Sequence, residues 1–145
     1  MTDSSEITDM PPDAPEGISL NARISREMAA VMKRFYGKGP LSTKSYLMDD
    51  LLLVVMRGGT TIAEQTMIEA GREDAVREFR QRFENEMTER LTTTIERLTG
   101  RKVVNYQSQI LIDPDMSVEI FVFDQPLASE APKREAGGVA GDEVG

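Results

Sequence analysis

The sequence predicts one α+β domain with two layers: a four-stranded, largely antiparallel sheet and helices on one of its faces, in the order α-ββ-α-α-ββ. Three observations predict it. A chain of 145 residues suits one domain. Apolar residues recur at helical spacing in two long segments. Two pairs of short apolar segments, each joined by an acidic turn, have the form of hairpins. The strand order does not follow from these patterns.

Composition limits the class of protein. The longest apolar run, 51–56, is far shorter than the ~20 residues of a membrane-spanning helix. The chain has no cysteine and no histidine, which excludes disulfides, thiolate zinc sites and His-dependent catalysis. The N-terminus lacks the pattern of a secretory signal. We therefore expect a cytoplasmic protein with no direct membrane insertion.

The formal net charge of −8 is concentrated at the two ends of the chain. Residues 1–16 carry five acids and no bases, and 125–145 are rich in Ala, Gly and Pro. Both composition types predict disordered tails, which leaves 17–124 as the folded domain. Within it, 17–48 hold six bases and one acid, so the first helix is a basic island on an acidic protein.

The first helix is predicted from Leu20 to Tyr36, because its apolar residues form one stripe of 3.6-residue period. Gly37 suits the left-handed conformation that ends a helix, and Pro40 prevents the helix from resuming. The capping box Thr61 to Glu64 opens a short helix. The other elements are predicted as strands over 44–48, 51–56, 102–112 and 117–123, a short helix to about residue 70, and a long helix over 73–99.

The long helix carries an apolar stripe, and we interpret its acids as a solvated face. The stripe consists of Val76, Phe79, Phe83, Met87, Leu91, Ile95 and Leu98. At 1.5 Å per residue the helix is about 40 Å long, which exceeds the usual width of a four-stranded sheet. An overhanging apolar stripe, together with a second strand that is apolar on both faces, leads us to expect a homodimer.

Gly37, Lys38, Gly39 and Pro40 form the first candidate site. A phosphate-binding P-loop runs from a strand into a helix, whereas here a helix C-terminus leads into the loop and its dipole end is negative. The order therefore argues against nucleotide binding and favours a helix stop. Lys38, exposed between two glycines beside the basic helix, makes this loop a candidate surface for docking a partner.

A second candidate, for a small anion, lies where the second strand leads into the short helix. Arg57, Thr60 and Thr61 surround that helix N-terminus, whose amides favour negative charge. Arg101 and Lys102 are expected nearby. A turn with an N-cap explains the same residues, and cations after a helix C-terminus explain Arg101 and Lys102.

Metal, nucleic-acid and catalytic sites receive less support. The acids at 49–50 and 113–115 are typical of hairpin turns and lack the ligand count of a calcium loop, so we expect no metal and no cofactor. Tyr46, Tyr106, Phe121 and Phe123 alternate on strands as in some RNA-binding sheets, but such residues are usually core, so we expect no nucleic-acid partner. No carboxylate pair in an apolar frame stands out, so we expect no enzyme. A pocket with two converging carboxylates would point to an enzyme instead.

Several motifs resemble the MpsC-like domain, a bacterial family catalogued as a domain of unknown function. The resemblance covers about 18–124. The motifs are Phe35-Tyr-Gly-Lys-Gly-Pro40, Thr61-Ile-Ala-Glu64, Gly71-Arg72, Val76-Arg-Glu-Phe-Arg80 and Ile95-Glu-Arg-Leu-Thr-Gly-Arg-Lys-Val103. One departure is Thr60-Thr61, where the family more often has Leu-Thr, which affects helix packing.

The resemblance implies a partner rather than a reaction. The family is named for a cation-translocating, membrane potential-generating system whose other components are integral membrane proteins, and some members are linked to inorganic-carbon uptake. It implies a soluble component with no catalytic residue to carry over. Its marked positions fall on Gly37, Lys38, Gly39, Pro40, Glu64, Gly71, Arg72, Gly100, Arg101 and Lys102. We therefore expect a non-enzymatic accessory or regulatory subunit that docks on a membrane transport complex, peripheral to the inner face of the membrane. A small-anion-binding sensor is the alternative.

Overall fold

A computed structural model describes residues 18–127 and confirms the predicted class and element order. The predicted tails, 1–16 and all of 125–145 except its first three residues, lie outside the described residues. The elements are α1 (Leu20–Tyr36), β1 (Ser42–Met48), β2 (Leu51–Arg57), α2 (Ile62–Glu69), α3 (Glu73–Glu86), α4 (Thr88–Thr99), β3 (Val103–Leu111) and β4 (Met116–Phe123).

The sheet joins two hairpins through their second strands, in the order β1-β2-β4-β3, and every neighbouring pair is antiparallel. In the central pair, Val54 lies opposite Glu119 and Leu52 opposite Phe121. The central position of β2 agrees with its apolar composition, since a strand with neighbours on both sides exposes the least surface. The packed chain continues beyond residue 124, because the Leu127 amide donates to the Asp49 carbonyl at 3.1 Å.

One face of the sheet is covered by helices and holds the core. Burial alternates along β2 and β4, so every second side chain points to the helices. From the helices, Ile24, Met28, Leu91 and Ile95 fill the space above them. Within residues 18–127, every helix is too short or too polar to span a bilayer.

The prediction of one long helix over 73–99 is wrong in one respect. The structure divides this segment at Met87 into two helices, α3 and α4. The Met87 amide donates to the carbonyls of Phe83 (3.0 Å) and Glu84 (3.1 Å), and the Thr88 hydroxyl donates to the Asn85 carbonyl at 2.7 Å. At the break the Met87 backbone leaves helical geometry for one residue, with φ −87° and ψ 1°. Each half is only about 20 Å long.

The buried stripe of α3 also differs from the predicted one. The helix buries Val76, Arg80 and Glu84, whereas Phe79 is 58% exposed. The face turned towards the sheet is therefore largely polar, and the interpretation of all helix acids as solvated was wrong for Glu84. The reason is tertiary: partners on α2 and the sheet satisfy these polar groups, which periodicity alone does not reveal.

Gly58 ends β2 in a conformation that favours glycine. Its φ is +79°, and a Cβ there would lie 2.7 Å from Leu41 Cδ1. Its amide donates to the Asp115 carbonyl at 3.1 Å, which ties the end of β2 to the β3–β4 turn. Gly59 has no neighbouring atom within 4 Å of such a Cβ and is not in the left-handed region.

Replacing Gly58 with alanine should therefore lower the free energy of unfolding by about 1–2 kcal/mol, because positive φ and crowding add. Gly59→Ala is the matched control and should change it by less than about 0.5 kcal/mol. Urea denaturation of both variants measures the difference. Equal effects of the two substitutions would contradict the assignment of the tight turn to Gly58.

Candidate functional site

The two glycine loops singled out in the sequence, 37–40 and 58–61, lie side by side. The Lys38 ammonium donates to the Thr60 carbonyl at 3.0 Å, and the Leu41 amide donates to the Arg57 carbonyl at 2.8 Å. Gly37 ends α1 in the left-handed conformation, as predicted. The exposed Lys38 thus bridges from the end of α1 to the start of α2.

The N-terminus of α2 is already occupied by carboxylates of the chain itself. The Thr61 amide donates to Glu64 at 2.9 Å and the Glu64 amide donates to the Thr61 hydroxyl at 3.1 Å, so the predicted capping box is confirmed. The Thr60 amide donates to Asp115 Oδ2 at 3.2 Å, and its hydroxyl donates to the same oxygen. An anion bound here would have to compete with both carboxylates.

Arg80 lies at the centre of this arrangement and is only 8% exposed. Its Nε and Nη2 donate to the two oxygens of Glu64 at 3.0 and 2.9 Å, a bidentate pair. Nη1 donates to Asp115 at 3.3 Å and Nη2 to the Thr60 hydroxyl at 3.1 Å. The guanidinium therefore joins α3 to the start of α2 and to the β3–β4 turn.

The contacts with Glu64 and Asp115 explain the protonation of Arg80. Burial acts to lower its pKa, but the hydrogen bond and negative charge of Glu64, followed by those of Asp115, outweigh burial and raise the pKa above its usual value. Arg80 stays charged, and its charge is matched inside the protein.

One helical turn further along α3, two buried carboxyl groups meet the hydroxyl of Tyr106. Glu84 is 3% exposed and Glu119, from the middle of β4, is 0% exposed. The Tyr106 hydroxyl donates to Glu119 and lies 3.3 Å from Glu84 Oε1, while the Ser108 hydroxyl donates to Glu119 at 3.2 Å. The expectation that no carboxylate pair lies in an apolar frame is therefore wrong.

The contacts of the Tyr106 hydroxyl with both carboxyl groups are explained if Glu84 is protonated. The phenol has one proton and donates it to Glu119, so its contact with Glu84 becomes a hydrogen bond when Glu84 donates to the phenol oxygen. Burial first, and then the charge of Glu119, raise the pKa of Glu84 to about 8. Burial also raises the pKa of Glu119, opposed by its hydrogen bonds from Tyr106 and Ser108. Glu84 therefore holds a proton at neutral pH.

Two hollows flank this polar cluster. The smaller is a cavity of about 40 Å³ lined in part by Lys38, Arg80, Glu84 and Asp115. It has room for one or two water molecules. The larger is an apolar groove of about 420 Å³ between the end of α1, α2 and α3. Its walls are mainly Phe35, Tyr36, Ala63, Met67, Ala75, Val76, Phe79 and Phe83. Tyr36 lines both hollows.

Other predicted site residues lie elsewhere. Arg101 and Lys102 precede β3, at the end of the sheet where Val103 pairs with Phe123, whereas Arg57 pairs with Met116 at the opposite end. Seven residue steps of β4 separate the two ends by about 23 Å. The structure does not bring Arg101 or Lys102 near the helix N-terminus at Thr60 and Thr61.

Further candidate classes can be placed in the same way. Among residues 18–127, no group of acids is arranged to hold a metal ion. Of the four strand aromatics, Phe121 and Phe123 are buried under the helices and Tyr106 belongs to the carboxyl cluster. Only Tyr46 points away from the helices.

Two features of the sequence indicate that Arg80, Glu84 and Glu119 are buried, although none of the three was predicted as a site residue. Glu119 stands among apolar residues in β4, on the same face as Phe121 and Phe123, and such a carboxylate must have a buried partner. Arg80 and Glu84 continue the spacing of Val76 by four residues each, so they share its face. Pairing them with Glu64, Asp115 and Tyr106 required the tertiary fold.

The buried pair predicts an unusual dependence of stability on pH. The pKa of Glu84 is raised from its ordinary value near 4.5, so the folded protein binds this proton more tightly than the unfolded chain. Its contribution is fully present below about pH 4.5 and is lost as the pH rises to about 8. Glu84→Gln should remove this loss. The free energy of unfolding of the variant should therefore fall with rising pH less steeply than that of the wild type, by roughly 1 kcal/mol per pH unit.

Urea denaturation between pH 5 and about 8 measures this, in a window where the absence of His and Cys leaves few other side chains to titrate. Glu86→Gln, on the exposed side of the same helix, is the matched control and should keep the wild-type slope. If the free energy of unfolding depends on pH in the same way for the wild type and for Glu84→Gln, the raised pKa of Glu84 is contradicted.

Comparison with known proteins identifies the family to which the chain belongs. The family model described as "Na+-translocating membrane potential-generating system (MpsC)" matches residues 18–125. No curated protein and no solved structure matches this chain. The matched segment is about three quarters of the sequence and runs from the residue before the N-cap of α1 to just after β4. It contains both glycine loops, Arg80 and the buried carboxyl pair. The chain therefore belongs to the MpsC family.

Proposed function

We propose that this chain is a non-enzymatic accessory or regulatory subunit of a cation-translocating, membrane potential-generating system. It acts at the cytoplasmic face and docks on a membrane-embedded component of that system through the apolar groove and the basic residues beside it. The family description links the chain to such a system. The observation that carries the docking surface is the position of the groove next to an exposed basic cluster.

The groove has the composition of a protein-binding surface. Phe79 is 58% exposed, and Phe35 and Met67 are also exposed on its walls. Large apolar side chains gathered in one concave surface mark an interaction site more often than scattered ones do. A groove between helices suits an amphipathic helix, which inserts apolar residues spaced three or four apart.

The charges near the groove favour an acidic partner segment. Lys33 and Arg34 are exposed in the last turn of α1 and Lys38 in the loop after it, and the groove residues Phe35 and Tyr36 lie between them in the chain. Arg34 and Arg90 lie over the Phe35 ring, at 5.0 and 4.2 Å from its centre. Glu27, the one acid of the basic segment, pairs with Arg97 at 3.2 Å. We infer an occupant with an apolar helical face flanked by acidic residues.

Three features support a non-enzymatic role despite the buried carboxyl pair. Glu119 is fully buried and is hydrogen-bonded to Tyr106 and Ser108. The cavity that Glu84 lines is of water size, about 40 Å³, far below the ~300 Å³ at which ligand pockets begin. The carboxylates around Arg80 likewise have internal partners.

The docking surface is tested by recovery of the protein with the membrane fraction of cells that contain the whole system. Lys38→Glu should reduce recovery about tenfold, because an exposed charge that faces an acidic partner is reversed. Lys102→Glu makes the same charge change on an exposed residue at the opposite end of the sheet and should not. Thermal unfolding checks that both variants are folded. Equal recovery of the two variants would reject docking at this loop.

The groove itself has an independent test in the same assay. Phe79→Ser removes an exposed aromatic wall without opening the core, so the fold should be retained and recovery should fall. Ile62→Ser is its control, since Ile62 is 87% exposed and does not line the groove. If Phe79→Ser and Ile62→Ser behave alike, the groove is not the docking surface.

The small-anion alternative remains a prediction, and the carboxylates at the start of α2 give it no support. A thermal-shift screen with bicarbonate, phosphate and nucleotides at millimolar concentration would raise the melting temperature by linkage if one of them binds.

A further inference from the structure

The sheet face opposite the helices is uncovered in the described part of the chain, and its residues follow from the strand register. We call it the open face. Its residues are Lys44, Tyr46 and Met48 of β1; Leu51, Leu53, Val55 and Arg57 of β2; Met116, Val118, Ile120 and Val122 of β4; and Asn105, Gln107, Gln109 and Leu111 of β3.

The centre of the open face is apolar. The register pairs Leu51 with Val122, Leu53 with Ile120 and Val55 with Val118, so six branched aliphatic side chains form a continuous block. On the β1 side, Tyr46 and Met48 are 49% and 47% exposed. An aliphatic block of this kind normally packs against a second layer, because sheets bury their apolar faces.

The charges of the open face are unusual for this protein. The chain has 25 acidic residues and a net charge of −8, yet the open face carries no acid and only Lys44 and Arg57 as bases. Two copies that meet through this face therefore bring no acidic residues together. Along β3, three neutral amide side chains can pair with the same groups or with Tyr46 across a contact.

The remaining parts of this chain are poorly suited to cover the block. Residues 1–17 and 128–145 carry only five large apolar side chains between them: Met1, Ile7, Met10, Val139 and Val144. Most of their other residues are acids, Ala, Gly, Pro or Ser. If these segments covered the block, their acidic residues would meet a surface on which Lys44 and Arg57 are the only bases.

The size of the open face suits a weak dimer. The spacing between strands and the rise per residue give the open face dimensions of roughly 19 by 23 Å. The flat area of two such faces is about 900 Å², and side chains that project from the sheet add to the surface that would be buried. This approaches the lower limit of about 1,000 Å² for a specific interface. A dimer held in this way depends on protein concentration.

We propose that the open face binds the open face of a second copy of this chain, as two sheets packed face to face around a two-fold axis. The axis passes near Leu53 and Ile120, the pair at the centre of the block. Because the contact is isologous, Ile120 of one copy lies close to Ile120 of the other. The helices remain on the two outer surfaces.

Light scattering at increasing concentration, up to ~1 mM, tests the assembly. We expect the mass to rise towards twice 16.1 kDa for the wild type. Ile120→Glu and Tyr46→Glu should hold the protein at the monomer mass, because each places two carboxylates in the contact. Tyr46 is half-exposed, so its variant keeps the fold even if Ile120→Glu does not. Ile62→Glu, on an exposed helix residue, should dimerise as the wild type does.

Cysteine cross-linking tests the geometry, since the natural chain contains no cysteine. Under mild oxidation, Ile120→Cys should form a disulfide-linked dimer, whereas Glu78→Cys on the exposed side of α3 should not. A monomeric wild type throughout the concentration range would overturn the proposal, as would dimers that persist in Tyr46→Glu. A monomer that instead sediments with phospholipid vesicles in an Ile120-dependent manner would overturn it in favour of a lipid partner.

Discussion

The bidentate pair between Arg80 and Glu64 is the interaction on which the rest of the structure depends. A guanidinium that is 8% exposed requires carboxylates, and it takes one from α2 and one, Asp115, from the β3–β4 turn. Glu64 caps the helix with the oxygen that it also gives to Arg80, so the start of α2 and the position of α3 are set together. Loss of Arg80 alone would leave two carboxylates without their cation, a change that costs about 3–5 kcal/mol in buried pairs.

The polar stripe of α3 also explains why the groove exists. Because Arg80 and Glu84 face the sheet, the aromatic residues one position earlier, Phe79 and Phe83, are turned away from it towards α1 and α2. Their rings meet Tyr36 at 6.2 and 4.7 Å. Phe83 also packs against the edge of the core, whereas Phe79 is left 58% exposed. An aliphatic stripe in place of Arg80 and Glu84 would remove the need for this rotation. One choice of helix face therefore produces both the buried proton-binding pair and the exposed apolar surface.

The sequence was sufficient for the fold class, the element order, the bounds of α1 and the capping box of α2, because each depends on residues close together in the chain. It was insufficient where distant residues decide. Periodicity placed Phe79 in the core, since apolar spacing carries no information about Arg80 finding Glu64 sixteen residues away. The break at Met87 is a one-residue departure from helical backbone geometry, and the apolar spacing runs through it without a signal. Lys38 was correctly identified as exposed, but its contact with Thr60 needed the two loops side by side.

The two proposed surfaces lie on opposite layers of the domain, and this separation has a consequence for assembly. A contact through the open face uses β-strand residues alone, so it leaves α1, α2 and α3 accessible on the outside of each copy. A dimer would then present two identical grooves related by a two-fold axis, each with the basic end of α1 beside it. Weak binding at one groove would be strengthened by the second wherever the membrane partner offers two acidic segments at the matching distance. Low affinity at either surface is therefore compatible with firm attachment to the membrane component, provided that both surfaces are engaged together.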